Sequence, residues 1–192
     1  MKIYQYIILS SFIIMAIQML GFVVFLKLNN LSIAGVPPIN KTLFKTAKMA
    51  MMIVWLSFLI QAIGRLNLSV FEGSYFIKTI AAVLMVIGIS IQLISYIYLG
   101  KNLKFGIPNN KEKKKAVLKT NGIYQLSRNP MYVGFYLILL AASLYVLNPA
   151  VWIFSIFTII IHHKIILKEE LFLKNTFAEQ WLNYTIKTRR YL

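Results

Sequence analysis

The sequence contains no cysteine, which removes disulfides, thiolate catalysis and cysteine-ligated metals. Charge is also scarce: 14% of residues are charged, against about a quarter in a soluble domain. There is no Gly-x-Gly-x-x-Gly, no Walker loop and no Gly-x-Ser-x-Gly elbow, so nucleotide-cradling loops and a nucleophilic triad have no support. The only two histidines, His162 and His163, are adjacent and point to different helix faces, and no HxxxH or HxxE pair exists, so no metal site is expected. No internal repeat stands out, which argues against a small transporter.

What is present is apolar length. Hydrophobic residues make up 59% of the 192 and the mean hydropathy is +0.70, both too high for a soluble globule of one-domain size. Five stretches, 3–26, 46–64, 76–99, 130–147 and 150–167, approach the roughly 20 residues that cross ~30 Å of hydrocarbon. They are continuous rather than alternating, so they read as helices and not barrel strands. The first is too long for a signal-peptide core and lacks a small-x-small site before Lys27, so it reads as a retained span. The expected fold is all-α and polytopic, with about five transmembrane helices and a cytoplasmic amphipathic helix in the tail, 168–192. It forms one domain over 1–192, the first three spans filling 1–99 and the chemistry-bearing part 100–192.

The net charge of +16 is a topology signal rather than a nucleic-acid signal. Eighteen of the 21 basic residues fall in 27–48, 100–128 and 164–192, including the run Lys113, Lys114 and Lys115. The remainder are Lys2, Arg65 and Lys78. The positive-inside rule then puts the long loop and the C-terminus in the cytoplasm and the N-terminus outside. Membrane lipids are the expected contact of the surplus cations.

Two segments on that side carry chemistry. Glu169 and Glu170 end the fifth span, one to two turns after His162 and His163. Ionisable groups at this depth are costly and are functional candidates. His162 and Glu169, seven residues apart, share a face, and Glu170 points about 100° away. An ordinary interfacial belt, with these carboxylates solvated or paired to lysine, would use the same residues. The second segment, 119–134, is a loop entering a helix. Gly122 permits an unusual backbone angle, Asn129 can cap the helix, and Pro130 fits its first turn. Free N–H groups there suit a carboxylate or phosphate, and Tyr124 and Tyr132 offer aromatic faces to a cation such as a sulfonium. The plain alternative is again an interfacial aromatic belt.

Taken in order, Gly122 and Tyr124, Arg128 to Tyr132, Gly134, Asn148 and Pro149, Glu169, Glu170 and Leu173, Phe177 and Ala178, and Trp181 and Tyr184 resemble the isoprenylcysteine carboxyl methyltransferase family. That family sits in a wider group of membrane methyltransferases that includes phospholipid N-methyltransferases. The resemblance covers about residues 95–192. It implies S-adenosylmethionine as cofactor, held at the cytoplasmic side. The matching positions are Val117, Leu118 and Lys119 before the motif, the loop tyrosine Tyr124, the motif residues Asn129, Pro130, Met131 and Tyr132, and the glutamate Glu169. Three positions depart from the family. Asn129 stands where His is usual, Ala178 where Gly is usual, and Ile165 where the eukaryotic enzymes carry a substrate-side arginine. His162, Lys164 or Lys168 are the candidates to replace that arginine; bacterial relatives resemble this chain in having a His near this point. The setting implied is a prokaryotic plasma membrane.

The expected reaction is in-line methyl transfer to a lipophilic small molecule or a prenylated or lipid acceptor. A carboxylate or thiolate acceptor needs only positioning and desolvation. An amine or phenol needs a base, for which His162 and Glu170 are candidates, with Arg128 beside them in the motif. Phospholipid amine or quinone-like phenol methylation, and a non-enzymatic membrane adaptor, are the competing functions.

Overall fold

The computed structural model describes residues 2–31, 35–64, 66–103, 106–108 and 117–192. Lys104, Lys111, Glu112, Lys113, Lys114 and Lys115 of the long basic loop, and Arg65, lie outside the described residues.

The described residues form five α-helices: α1 (Ile3–Leu28), α2 (Lys41–Ile63), α3 (Tyr75–Leu99), α4 (Pro130–Val146) and α5 (Pro149–Lys187). Their ends follow local rules. Asn40 and Asn148 accept from the backbone N–H of Thr42 and Ala150, and Gly64 closes α2 in the left-handed conformation. Proline opens both α4 and α5, where its missing N–H costs nothing. Four helices are long and apolar enough to cross a membrane, the exception being the 17-residue α4. Large apolar side chains such as Ile13, Ile17, Leu20 and Val24 of α1 face outward, which suits hydrocarbon and not water. The chain is an integral membrane protein.

The short α4 is the most enclosed helix and packs chiefly on α3. The reason is a pair of glycines: a Cβ on Gly134 would come 2.5 Å from the carbonyl oxygen of Gly88, and one on Gly88 2.7 Å from that of Gly134. In a bilayer, where apolar burial does not drive helices together, such close backbone approach does. Ile138, Leu139, Ala142, Tyr145 and Met85 fill the core around this contact, and Ser143 donates to Ser155 Oγ at 2.9 Å across α4 and α5.

The connections sort to two ends of the bundle. Between α1 and α2, Val36 exchanges backbone hydrogen bonds of 2.8 and 3.0 Å with Ile107 of the loop after α3. Between α2 and α3, Val70 and Phe71 donate to Leu147 O, and Asn148 Nδ2 donates to Leu68 O, at the α4–α5 turn. The grouping is the one the basic residues define.

One boundary differs from expectation. The fifth span does not hand over to a separate tail helix after 167. Helical conformation runs on past the apolar stretch and breaks only at Ala178, whose φ of 42° and ψ of −110° are non-helical, before resuming to Lys187. The stretch from Pro149 to Phe177, before the break, makes about 44 Å of helix, longer than the hydrocarbon is thick.

Candidate active site

The loop that enters α4 is fixed from both sides. Gly122 sits at φ 60°, and any Cβ there would collide with the ring of Tyr98 on α3. A 3-10 turn, Gly122–Gln125, follows. Tyr184 and Thr188, past the Ala178 break, donate side-chain hydroxyls to the carbonyls of Tyr124 and Gln125. The segment after α5 then lies along the loop. Arg128 N–H donates to Arg189 O at 2.9 Å, and Ser127 Oγ and Asn129 Nδ2 donate to Arg190 O at 3.2 and 3.3 Å.

This packing gathers the first polar cluster. Glu170, 7% exposed, receives Arg128 Nε on Oε1 at 3.2 Å and Arg190 Nε and Nη2 on Oε2, each at 2.9 Å. Asn129 Nδ2 adds a 2.9 Å hydrogen bond to Oε1. Arg128 also donates to Thr188 O at 2.9 Å and lies 5.7 Å from the ring centre of Trp181. The hydrogen bond from Arg190 to Glu170 pushes that guanidinium above its ordinary value. The expectation that the Asn129 side chain caps α4 is therefore corrected: it makes no cap hydrogen bond, because its amide is committed to Glu170 and Arg190 O. Glu170 is the acceptor at the centre of a clamp that ties the α4 start, α5 and the C-terminal segment together.

Glu169, one position earlier, faces elsewhere. Its carboxylate accepts from Tyr132 Oη at 3.1 and 3.2 Å, and no cation approaches it among the described residues. His162 is on the same side: its ring centre is 6.1 Å from Tyr132 and 4.8 Å from Phe135. His162 Nδ1 is 2.8 Å from Thr158 O, so that nitrogen carries the proton and donates. Tyr124 is buried beside this group, and burial first, then the charges of Tyr184 and Glu169, push its phenol well up from its ordinary value. It stays a neutral hydroxyl.

The sequence candidates thus fall into two sets. Arg128, Asn129 and Glu170 meet in the clamp, while Tyr132, Glu169, His162 and Tyr124 surround a second point, with Pro130 and Met131 opening the helix between them. Val117, Leu118 and Lys119 run without regular structure toward the loop, Val117 exposed. Ile165 is 2% exposed in a dry cluster with Ala47 and Ile161 against Leu43, Phe44 and Tyr132. Lys164 lies on an outer face of α5 and reaches a different cavity, described below. Sequence reasoning missed Arg190, Trp181 as a platform for Arg128, and His163 with Tyr191. Arg190 read only as a topology charge, since nothing local to residue 190 signals a partner at residue 170.

Residues 76–180, from the start of α3 to just past the Ala178 break, match the family model described as phospholipid methyltransferase. No curated protein matches the chain.

Proposed function

The chain belongs to the phospholipid methyltransferase family, whose model covers more than half of it, and from that membership and the site geometry we propose that it transfers a methyl group from S-adenosylmethionine to a lipophilic acceptor delivered from the bilayer. The observation that carries the cofactor assignment is Glu169. A carboxylate held against one phenol, walled by aromatic rings and approached by no cation among the described residues, is a receptor for a cationic ligand. Binding such a ligand would supply the missing counter-charge.

When bound, the cofactor supplies an electrophilic methyl on a sulfonium. The chain's own residues do the rest. Glu169 holds the cationic part of the donor, Tyr132 orients Glu169, and Tyr124 and His162 close the sides and exclude water. The clamp on Glu170 fixes the α4 start, so that Tyr132 does not wander. Positioning of this kind can account for several kcal/mol of a methyl-transfer barrier. Ile165 offers nothing to an acceptor carboxylate, so in this chain recognition of an anionic acceptor would fall to Lys164, Lys168 or His162. The charge distribution supports an N-terminus outside and a cytoplasmic C-terminus, with the donor entering from the cytoplasm.

The test is mass spectrometry of the purified protein for co-purified S-adenosylmethionine or its demethylated product, with calorimetric titration of the cofactor. Binding at micromolar concentration is expected. No binding in detergent and in lipid nanodiscs would overturn the reading and favour a membrane adaptor whose basic loop binds anionic lipid.

A further inference from the structure

A second polar group adjoins the donor site and has no part in it. A cavity of about 300 Å3 is lined by Tyr136, Ile159, Ile160, His163, Lys164 and Tyr191. Tyr136 follows Tyr132 by one turn of α4, so the two share a face. His163 lies about 100° around α5 from His162, which faces Tyr132. The cavity is thus one turn deeper into the membrane than the Tyr132–Glu169 pair and beside it. Its walls are mostly apolar; the polar groups on them are the buried Tyr136 hydroxyl, Lys164 and one hydrogen-bonded pair, His163 Nδ1 lying 2.6 Å from Tyr191 Oη. Tyr191 is set there by the clamp, because Arg190 beside it is fastened to Glu170 and its ring stands 6.0 Å from those of Tyr136 and His163.

Three other groups could move a proton; Glu169 is assigned to the donor, and the other two are occupied. Glu170 is saturated by two arginines and an amide, which hold it as an anion. His162 spends Nδ1 on a carbonyl and packs its ring on Phe135. His163 is the remaining histidine, and its Nε2 has no hydrogen bond among the described residues.

We propose that His163 is the base of this transfer, taking the proton of an amine or phenol group seated in this cavity, while Tyr191 positions the imidazole. The proposal rests on the methyltransferase reading above. In the step, the lone pair of the acceptor nitrogen or oxygen forms a bond to the methyl carbon. The carbon–sulfur bond breaks, and its electron pair stays on sulfur as a neutral thioether. The acceptor's proton passes to His163 Nε2, and the imidazolium donates Nδ1–H to Tyr191 Oη before releasing the proton to water. Lys164 at the rim adds a cation suited to a headgroup phosphate.

The experiment uses the full chain in nanodiscs with three probes: an ethanolamine lipid, a long-chain alkylphenol and N-acetyl-S-farnesylcysteine, whose carboxylate needs no base. Cofactor affinity is measured by calorimetry alongside transfer. A diazirine-bearing ethanolamine lipid, photolysed without cofactor, reports where the acceptor sits. The expected result is transfer to the ethanolamine lipid or the phenol, a fall of kcat by roughly 100-fold or more in His163→Gln, within the usual range for a lost general base, and unchanged cofactor affinity. Tyr191→Phe should fall less, since the ring stays, and the crosslinks should map to Tyr136, Ile160 or Tyr191. Wild-type rates in His163→Gln, transfer to the farnesylcysteine carboxylate alone, crosslinks confined elsewhere, or cofactor binding with transfer to none of the probes would each overturn the inference and leave the methyltransferase reading standing. Absence of cofactor binding in the wild type would overturn that reading itself.

Discussion

Asn129 donates its side-chain amide to Glu170 Oε1 at 2.9 Å, joining the first residue before α4 to a turn of α5 that lies 41 positions away in sequence. The same carboxylate holds Arg128 and Arg190, so the clamp stores its energy in one buried acceptor. Removing the charge leaves one mostly buried guanidinium and one about a third exposed without a counter-ion. Glu170→Ala should cost roughly 2–4 kcal/mol, at the lower side of buried-pair losses because Arg190 is partly solvated. Thermal unfolding in detergent measures the loss. Limited trypsin digestion should cut at Arg189 and Arg190 much faster than in the wild type, since both are held only while the segment is docked.

Glu169 makes the opposite prediction. Its one hydrogen-bond partner is Tyr132 Oη, and no cation neutralises it among the described residues. Glu169→Gln removes a charge that the fold does not use and that a cationic ligand would. Cofactor affinity should fall about 10-fold or more, the value of one charge-assisted hydrogen bond, while the unfolding temperature stays or rises. Calorimetric titration and a melting curve on the same sample separate the two effects. Tyr132→Phe should lower affinity less, because the ring remains as a wall. A Glu169→Gln variant that binds the cofactor as tightly as wild type would remove Glu169 from the site.

Ala178 holds a conformation that L-residues avoid, φ 42° and ψ −110°, where the family resemblance puts glycine. Such backbone costs about 1–3 kcal/mol in a non-glycine residue, and glycine relieves it at some cost in unfolded-state entropy. Ala178→Gly should therefore stabilise the protein by about 1 kcal/mol, a rise of roughly 2–4 °C for a chain of this length. Ala178→Val should do the reverse. Differential scanning fluorimetry of the three proteins checks the order.

These residues also show how much the sequence discloses. The five spans, the proline helix starts at Pro130 and Pro149 and the need for glycine at 122 were legible, because hydropathy and backbone preference are properties of short segments. The shared face of His162 and Glu169 was legible from helix periodicity, and both meet Tyr132. Partner choice over distance was not. Asn129 looked like a cap because capping is its commonest local use, and only the arrival of Glu170 redirects it. Arg190 and Tyr191 gain roles by folding back on residues 127–129 and 163, a fact with no local signature. The length of α5 was hidden because helical conformation does not end where apolar composition does.

The Gly88–Gly134 contact gives a packing prediction. Each glycine faces the other's carbonyl, and the contact sits two residues above Tyr132, so spreading α3 from α4 would also displace the donor site. Gly134→Val must push the helices apart, since the nearest obstructing atom, the Gly88 carbonyl oxygen, is backbone and cannot swing away. Loss of stability beyond about 2 kcal/mol and loss of cofactor binding are expected together. Gly21→Val is the control: a Cβ there meets nothing within 4 Å, so it should change neither.

The absence of cysteine makes the orientation directly measurable. Structure sorts the connections into two ends, with Val36 beside Ile107 at one and 68–71 beside the Leu147–Asn148 turn at the other. The proposed orientation rests on charge: the sequence segments 27–48, 100–128 and 164–192 hold 18 of the 21 basic residues, and such segments are retained on the cytoplasmic side. Single substitutions at exposed positions, Leu66→Cys at one end and Thr120→Cys at the other, place one thiol each. In intact cells a membrane-impermeant maleimide should label Cys at 66 and reach Cys at 120 only after permeabilisation. The opposite pattern would put the Tyr132–Glu169 site outside, away from any cytoplasmic supply of methyl donor, and the proposed function could not operate there.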